Sequence, residues 1–132
     1  MDPLVSVIGL GIDLVDLARV ARLLEHKGEQ AMTRFFTEEE RAYLATRTDP
    51  TGHAAARIAA KEAVYKAMQA LPGARAVGWR EIEVTRDGAG RPAIRLHGLA
   101  ARLSHEQGGL RVQISLTHSE TSAGAVAVIQ TP

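Results

Sequence analysis

The feature that most constrains this fold is an alanine-rich stretch over residues 53–71, which has the period of a helix and ends at Pro72-Gly73. Most of its side chains are small or apolar, and they are not confined to one stripe. A helix of this kind is stable only when other elements cover most of its surface. The sequence therefore predicts a long, well-buried helix in the middle of the chain.

Four charged side chains interrupt this helix. Arg57 and Lys61 are four residues apart on one face, and Glu62 and Lys66 are four apart on a neighbouring face. On local sequence alone, solvated ion pairs worth about 0.2–0.5 kcal/mol are the commoner explanation. Burial argues against it, because buried charges need partners. A phosphate-rich ligand with Mg²⁺ would pair the cations with phosphate and the carboxylate with metal.

A second candidate residue follows the first apolar run. Residues 5–12 are apolar and β-branched and are broken by Gly9 and Gly11, which predicts a buried strand with close backbone approach. Close packing explains this glycine pair better than phosphate binding does. Asp13 stands where the pattern turns helical, over residues 14–26. It is a candidate helix N-cap and, because a carboxylate has spare lone pairs, also a candidate metal ligand.

The remaining pattern predicts an α+β fold with an antiparallel sheet packed against the long helix. Thr37 and Glu40 form a capping-box start for a helix that extends to about Thr46. The second half of the chain alternates with period two around turns and one short helix, which favours hairpin-connected strands in one domain spanning residues 1–132. The predicted strands are residues 81–86, 93–96, 112–116 and 123–129, and the short helix is residues 99–107.

Composition excludes several classes of protein. The 132 residues contain no cysteine, which removes disulfides and thiolate chemistry. Two Tyr, two Phe and one Trp are too few for a nucleic-acid stacking platform, and the net charge of +1 gives no overall field. No run approaches the ~20 apolar residues of a membrane helix, and the start lacks a secretory signal, so a cytoplasmic protein is expected.

One histidine stands apart from the others. His118 ends a predicted strand, and Ser119 follows it directly. A lone histidine is more often structural than functional, but hydrogen-bonding groups at a strand end commonly form binding sites. The other histidines have no ligand spacing, which disfavours zinc, and no nucleophile elbow or serine triad is present.

Taken together and in order, these segments resemble the holo-acyl-carrier-protein synthases. Each motif is weak alone, but the ordered set at these spacings is specific and extends from Val7 to Ile129. The matching segments are residues 9–13 with Arg19, residues 35–37 with Glu40, and residues 56–67, 79–84, 90–92 and 115–118.

The resemblance implies an activity and an assembly. The expected reaction is the Mg²⁺-dependent transfer of 4′-phosphopantetheine from coenzyme A to a serine of an apo acyl carrier protein, which releases adenosine 3′,5′-bisphosphate. The expected form is a homotrimer with a site at each subunit interface.

It also assigns roles to individual residues. Asp13 and Glu62 match the Mg²⁺ ligands, and Lys66 matches a lysine near the scissile phosphate. Lys61, from its place on the helix, is predicted to bind the same phosphate-rich cofactor. The predicted contacts to the nucleotide part of coenzyme A are Arg57, Gly90, Pro92, His118 and Ser119, and the predicted contacts to the carrier protein are Arg19 and Arg22.

One departure and two alternatives remain open. Many members have a Gly-Thr-Gly-like loop after the long helix, whereas residues 69–74 here lack it, which leaves a backbone cradle for the phosphopantetheine unsupported. A non-catalytic carrier-protein or nucleotide-binding module would keep Arg19 and Arg22 without needing both Asp13 and Glu62. A protein whose charges only solvate its helices would bind neither Mg²⁺ nor coenzyme A. The general base is also open, between a metal-bound water and Glu62.

Overall fold

The computed structural model describes residues 4–132 and has the predicted α+β fold with antiparallel strands. Strands β1, β5 and β4 form one sheet in that order, and β2 and β3 form a separate hairpin. Two short 3₁₀ turns, Ala74–Ala76 and Trp79–Glu81, lead into the hairpin. The elements are β1 (Val7–Asp16), α1 (Leu17–Phe35), α2 (Glu38–Ala45), α3 (Thr51–Met68), β2 (Ile82–Arg86), β3 (Pro92–Leu96), α4 (Gly98–Glu106), β4 (Arg111–His118) and β5 (Ser122–Gln130).

The long helix α3 packs across the three-stranded sheet and forms the main core with it. Four of its alanines, Ala59, Ala60, Ala63 and Ala67, are buried in a core shared with the small side chains of β5, which brings helix and sheet close together. The contact with β1 is closer still. A Cβ atom at Gly9 or Gly11 would lie 1.9 Å from the carbonyl oxygen of Ala67 or Ala63, respectively. Backbone therefore lies directly on backbone here, as the two glycines predicted.

A second core joins α1 and α2 to the first turns of α3. Val20 of α1 and Phe36 pack with Leu44 of α2 and with Ala54 and Ala55 of α3. The predicted capping box starts α2: the Thr37 hydroxyl accepts from the Glu40 N–H at 3.2 Å, and Glu40 Oε1 accepts from the Thr37 N–H at 2.9 Å. This box also turns the Glu40 side chain toward α3.

The predicted boundary between β1 and α1 was wrong. The strand continues to Asp16, because its ladder with β5 pairs every residue from Gly9 to Asp16 and ends at Ser122. Asp13 consequently lies inside the strand opposite Ala125, and the position before α1 belongs to Asp16, whose side chain makes no capping bond. Asp13 is not a helix cap, and its carboxylate is free for another role.

Two further expectations for this region were incomplete. The first strand is buried on one face only: Leu10, Ile12 and Leu14 are 67–72% exposed on the other. The helix that follows was expected to end near residue 26, but it only kinks at Gly28 and continues to Phe35. Gly28 has φ 26° and ψ −107°, a conformation that glycine alone adopts readily, so the chain kinks without ending.

No helix within residues 4–132 combines the length and the apolar character needed to cross a membrane.

Candidate active site

Asp13, Glu62 and Lys66 lie together where β1 crosses α3. Lys66 Nζ donates to Asp13 Oδ1 at 3.0 Å and to the Ile12 carbonyl at 2.9 Å. The Lys66 side chain is 50% exposed and the Asp13 side chain 18% exposed. The pair is therefore open to solvent on one side, and both partners keep hydrogen-bonding capacity for a ligand.

Glu62 completes this group with a second carboxylate. Burial raises the pKa of Glu62, and the negative charge of Asp13 raises it further, while the positive charge of Lys66 acts in the opposite direction. Two carboxylates close enough to influence each other are costly unless a cation joins them. Their hard oxygen donors fit Mg²⁺, which binds in proteins through one or two carboxylates and takes its other ligands from phosphates and water. Within residues 4–132, no third carboxylate, histidine or cysteine completes a metal cluster.

These residues line a cleft of about 780 Å³ whose rim is basic. Arg19 and Arg22 of α1 line it, so the residues predicted for metal and carrier share one cleft. His26 and Lys27 line the same cleft and were missed, although the position of His26, four residues after Arg22 on α1, was a usable signal.

A smaller cavity of about 220 Å³ opens beside Glu62, and no residue of α1 is among those that line it. Tyr65, Val77 and Ile82 give it largely apolar walls. Trp79 lines both this cavity and the larger cleft, and its ring packs edge-on against Phe35 with centroids 4.8 Å apart. Glu62 and Trp79 therefore stand at the junction of a polar cleft and an apolar pocket.

The geometry does not support Lys61 as a ligand-binding residue. Lys61 is 1% exposed, and its ammonium donates to Glu40 Oε1 at 2.7 Å and to the carbonyls of Trp79 and Ile82. The second oxygen of Glu40 accepts from the Val84 N–H at 3.0 Å. Three protein acceptors satisfy the three donors of this lysine, so no donor remains for a phosphate.

The predicted nucleotide contacts lie elsewhere on the molecule. Arg57, His118 and Ser119 line a second cleft of about 760 Å³, and Arg57 and Pro92 line a third of about 440 Å³. Gly90 sits in the adjacent hairpin turn, where its carbonyl accepts from Arg86 Nη1 at 3.0 Å. Helix α1 separates the two sets: Arg19 faces the first cleft, and Ala18 and Ala21 face the second.

Sequence reasoning missed a group of cations around Tyr43. The guanidinium carbons of Arg47, Arg57 and Arg86 lie 4.7, 4.2 and 5.3 Å from the centre of the Tyr43 ring. Arg47 follows Tyr43 by four residues, just after the end of α2, which was a faint local signal. The other two arginines come from distant elements.

The loop after α3 closes on itself. Gln69 Nε2 donates to the carbonyls of Tyr65 and Ala74 at 2.9 and 3.2 Å, and Gly73 has φ 85°. The Tyr65 hydroxyl donates to the Arg75 carbonyl at 2.9 Å. Side-chain hydrogen bonds and one glycine thus fix the turn after α3.

Comparisons with known proteins identify the family to which the chain belongs. The family model described as "4′-phosphopantetheinyl transferase superfamily" matches residues 9–123. A holo-[acyl-carrier-protein] synthase of Thermus thermophilus is 42% identical over 125 residues, which cover 94% of each chain.

Solved structures of similar proteins show the same fold. The holo-[acyl-carrier-protein] synthase of Neisseria meningitidis has a TM-score of 0.80 at 29% identity and covers 94% of this chain and 98% of its own. That of Bacillus anthracis, in complex with coenzyme A (3′,5′-ADP), has a TM-score of 0.77 at 30% identity and covers 96% and 98%. The chain therefore belongs to the 4′-phosphopantetheinyl transferase superfamily and, within it, to the holo-[acyl-carrier-protein] synthases.

Proposed function

We propose that this chain transfers 4′-phosphopantetheine from coenzyme A to a serine of an apo acyl carrier protein, with Mg²⁺ as cofactor and adenosine 3′,5′-bisphosphate as the second product. The observation that carries the proposal is the grouping of Asp13, Glu62 and Lys66 in a cleft with the basic side chains of Arg19 and Arg22. A non-catalytic module would need the arginines but not the two carboxylates.

The proposed chemistry is a substitution at phosphorus. The carrier serine oxygen attacks the phosphorus atom that bears the pantetheine, the bond to the bridging oxygen of the pyrophosphate breaks, and the serine proton passes to a base. Such a reaction needs alignment and neutralised charge more than covalent help from the protein. Mg²⁺, held by Asp13 and Glu62, supplies positive charge to the pyrophosphate oxygens when it is bound.

The side chains around that position have distinct tasks. Lys66 is half-exposed, and its ammonium can turn from Asp13 to donate to a phosphoryl oxygen as charge develops there. The proton of the carrier serine has two candidate acceptors, Glu62 itself and a water on the metal that Glu62 would help to hold. The apolar cavity beside Glu62 and Trp79 has the position and walls expected of a pocket for the pantetheine arm.

The basic rim is the proposed docking surface for the carrier. Arg19 and Arg22 are exposed and line the same cleft as the carboxylates of Asp13 and Glu62. An acidic partner would be steered there by charge and held with its serine close to Lys66. His26 and Lys27 enlarge the same surface.

We further propose that the working form is a cyclic trimer. Among residues 4–132, strand β1 pairs with β5 alone. It exposes Leu10, Ile12 and Leu14 on its outer face, and Val126 continues this apolar surface on β5. An exposed apolar surface of this kind is expected to be covered by another chain. A ring would also bring the cleft of Asp13 and Glu62 on one subunit toward the cleft of Arg57 and His118 on the next.

Mixing two inactive variants tests the ring. Glu62→Gln and His118→Ala are each expected to be weak as pure assemblies. After co-refolding in equal amounts, roughly one interface in four should pair an intact Glu62 face with an intact His118 face, by random statistics on a heterologous ring. Activity should rise toward that fraction of wild type. Activity no higher than the mean of the two parents would place the whole site within one chain.

The decisive test of the activity is a change in mass. The protein is incubated with coenzyme A, Mg²⁺ and an apo acyl carrier protein, and the carrier is then weighed by mass spectrometry. The carrier is expected to gain the mass of one phosphopantetheine. No gain is expected when the reaction is run in the presence of EDTA. An unmodified carrier, from a sample that binds it, would favour the non-catalytic module.

A further inference from the structure

The apolar cavity beside Glu62 lies between two walls. Helix α3 provides one wall with Lys61, Glu62 and Tyr65, and residues of the segment 77–82 provide the other. Glu62 and Trp79 also line the large cleft, so the cavity opens toward the cleft on their side. A ligand that reaches the cavity from the cleft therefore passes between Glu62 and Trp79.

Hydrogen bonds cross from one wall to the other at both ends of the cavity. Lys61 Nζ donates to the Trp79 carbonyl at 2.9 Å and also to the Ile82 carbonyl. The Tyr65 hydroxyl donates to the Arg75 carbonyl at 2.9 Å. Lys61 and Tyr65 are one turn apart on α3, which is about 6 Å along the helix axis. The cavity is therefore short, and it is bounded along the helix in both directions.

The phenol of Tyr65 is fixed at both of its ends. Its ring packs against the main core. Its acceptor, the Arg75 carbonyl, belongs to a 3₁₀ turn whose first residue, Ala74, is buried, and Val77 just beyond the turn is buried as well. Gln69 Nε2 also donates to the Ala74 carbonyl in this turn. The ring of Tyr65 is therefore a rigid end wall of the cavity.

The size of the cavity limits what can lie against this wall. Its volume is about 220 Å³, whereas pockets for drug-sized ligands have volumes of about 300–1,000 Å³. Length and volume therefore suit one end of the pantetheine arm rather than a longer group. Extra methylenes forced into a filled apolar site are destabilising, because the side chains and backbone around them must move.

We infer that Tyr65 determines specificity for the co-substrate by closing the cavity behind the thiol end of the pantetheine arm. Given the proposed function, on which this inference rests, coenzyme A with a free thiol is the favoured co-substrate. Thioesters that carry a chain of several carbons are disfavoured, because the chain would have to occupy the volume of the phenol ring. Removal of the ring makes that volume available to the chain.

Transfer to an apo acyl carrier protein from coenzyme A and from hexanoyl-coenzyme A tests the wall, with the mass of the carrier as the readout. Wild type should use the hexanoyl thioester with a kcat/KM at least about tenfold lower, which is the discrimination that a small apolar pocket achieves against added methylenes. Tyr65→Ala should reduce the difference to less than about threefold. The ratio is taken within each protein, so a smaller folded fraction in the variant does not alter it.

Two further variants separate the ring from the turn that surrounds it. Tyr65→Phe keeps the ring, which packs on the core, and should retain most of the discrimination. Gln69→Ala is the matched control, because it removes a hydrogen bond of the same turn while Gln69 does not line the cavity. Its ratio should stay within about twofold of wild type. If either variant is as permissive as Tyr65→Ala, the ring is not the wall and the inference is wrong.

Titration calorimetry without a carrier separates this outcome from that of the proposed function. Wild type should bind coenzyme A about tenfold more tightly than hexanoyl-coenzyme A, and Tyr65→Ala should bind the two within about threefold. This pattern would support the end wall even where no carrier was modified, a result that counts against the proposed function alone. A wild-type protein that modifies the carrier equally well from both co-substrates would overturn the end wall and leave the activity standing.

Discussion

Helix α3 carries two lysine–carboxylate pairs that differ in almost every physical respect. Lys61 and Glu40 are fully buried, and Lys61 Nζ lies 2.7 Å from Glu40 Oε1. Their remaining hydrogen-bonding groups pair with backbone groups of the hairpin and of the 3₁₀ turn before it. Lys66 and Asp13 are 3.0 Å apart at the mouth of a cleft, and the lysine is half-exposed. In the sequence the two lysines look equivalent, because each lies four residues after another charged residue on the same helix.

The difference shows how to separate a structural charge from a functional one. The inner pair is closed: every donor and acceptor has a protein partner, so it can hold α2, α3 and β2 together but cannot bind anything else. The outer pair is open, and the carboxylate of Glu62 adds a charge that protein groups do not fully balance. Charged groups that are incompletely paired and accessible to solvent therefore indicate the candidate active site.

The largest effect is expected from breaking the open group. Asp13→Ala and Glu62→Gln should each lower phosphopantetheine transfer on the order of 10³-fold, because Mg²⁺ with two protein ligands has none to spare. The free energy of unfolding should change by less than about 1 kcal/mol, since both side chains face the cleft. The rate is measured by mass spectrometry and stability by urea unfolding. A variant with a near-native rate would remove its residue from the proposed metal site.

Breaking the closed pair should act on stability instead. Glu40→Gln leaves the Lys61 ammonium buried without a countercharge and should cost about 3–5 kcal/mol of unfolding free energy. Transfer per folded molecule should stay near that of wild type. The double variant Glu40→Gln, Lys61→Met should be less destabilised than the sum of the two single variants, since it removes both charges. Additive losses would mean that the two side chains do not act as a pair.

Substitutions of Arg19 and Arg22 should have a smaller effect on the reaction, and that effect should depend on the salt concentration. Arg19→Glu and Arg22→Glu should each lower kcat/KM for the carrier roughly tenfold at low ionic strength, with the KM for coenzyme A unchanged within about twofold. The difference from wild type should shrink as salt screens the rim. Arg102→Glu, on α4, serves as the control for added negative charge. Equal losses for both substrates would assign these arginines to the fold or to the nucleotide.

The smallest expected effect is a change in stability with pH that depends on Glu83, a buried residue of β2 next to the Lys61–Glu40 pair. Burial would raise the pKa of Glu83, but hydrogen bonds from Thr37 and His97, with the charges of His97 and Arg95, outweigh it and lower that pKa below its ordinary value of 4.5. Its stabilising contribution is therefore complete above that value and is lost as pH falls through the lower, folded pKa.

Unfolding free energies at pH 6, 4 and 3 test this contribution. Wild type should lose more stability over that interval than Glu83→Gln, by less than about 2 kcal/mol. Parallel losses in the two proteins would show that Glu83 is not among the groups responsible for acid sensitivity.

Much of the fold was predictable because local signals and long-range packing agree. The capping box at Thr37 and the alternation of β4 and β5 each specify an element without reference to the rest of the chain. The boundary near Asp13 was not predictable, since residues 14–16 fit either a strand or a helix. The ladder with β5, more than a hundred residues away in sequence, decided it.

The residues of the candidate site likewise fall into those that the sequence could predict and those that it could not. Glu62 and Lys66 share a helix face, and the resemblance added Asp13, so this group could be assembled from sequence. Lys61 was misjudged because its partner, Glu40, lies 21 residues earlier, and helix periodicity says nothing about such a contact. The cluster at Tyr43 was missed for a similar reason: its arginines come from three separate places in the chain, after α2, on α3 and on β2.

The glycine contacts of β1 have a consequence for the precision of the site. Side chains that separate two elements can change rotamer and let the elements shift, whereas the backbone contact of Gly9 and Gly11 with α3 has no rotamers to change. The distance from Asp13 to Lys66 and Glu62 is therefore set by hard contact between main chains. A reaction that depends on alignment within a fraction of an ångström gains from a scaffold whose spacing cannot drift.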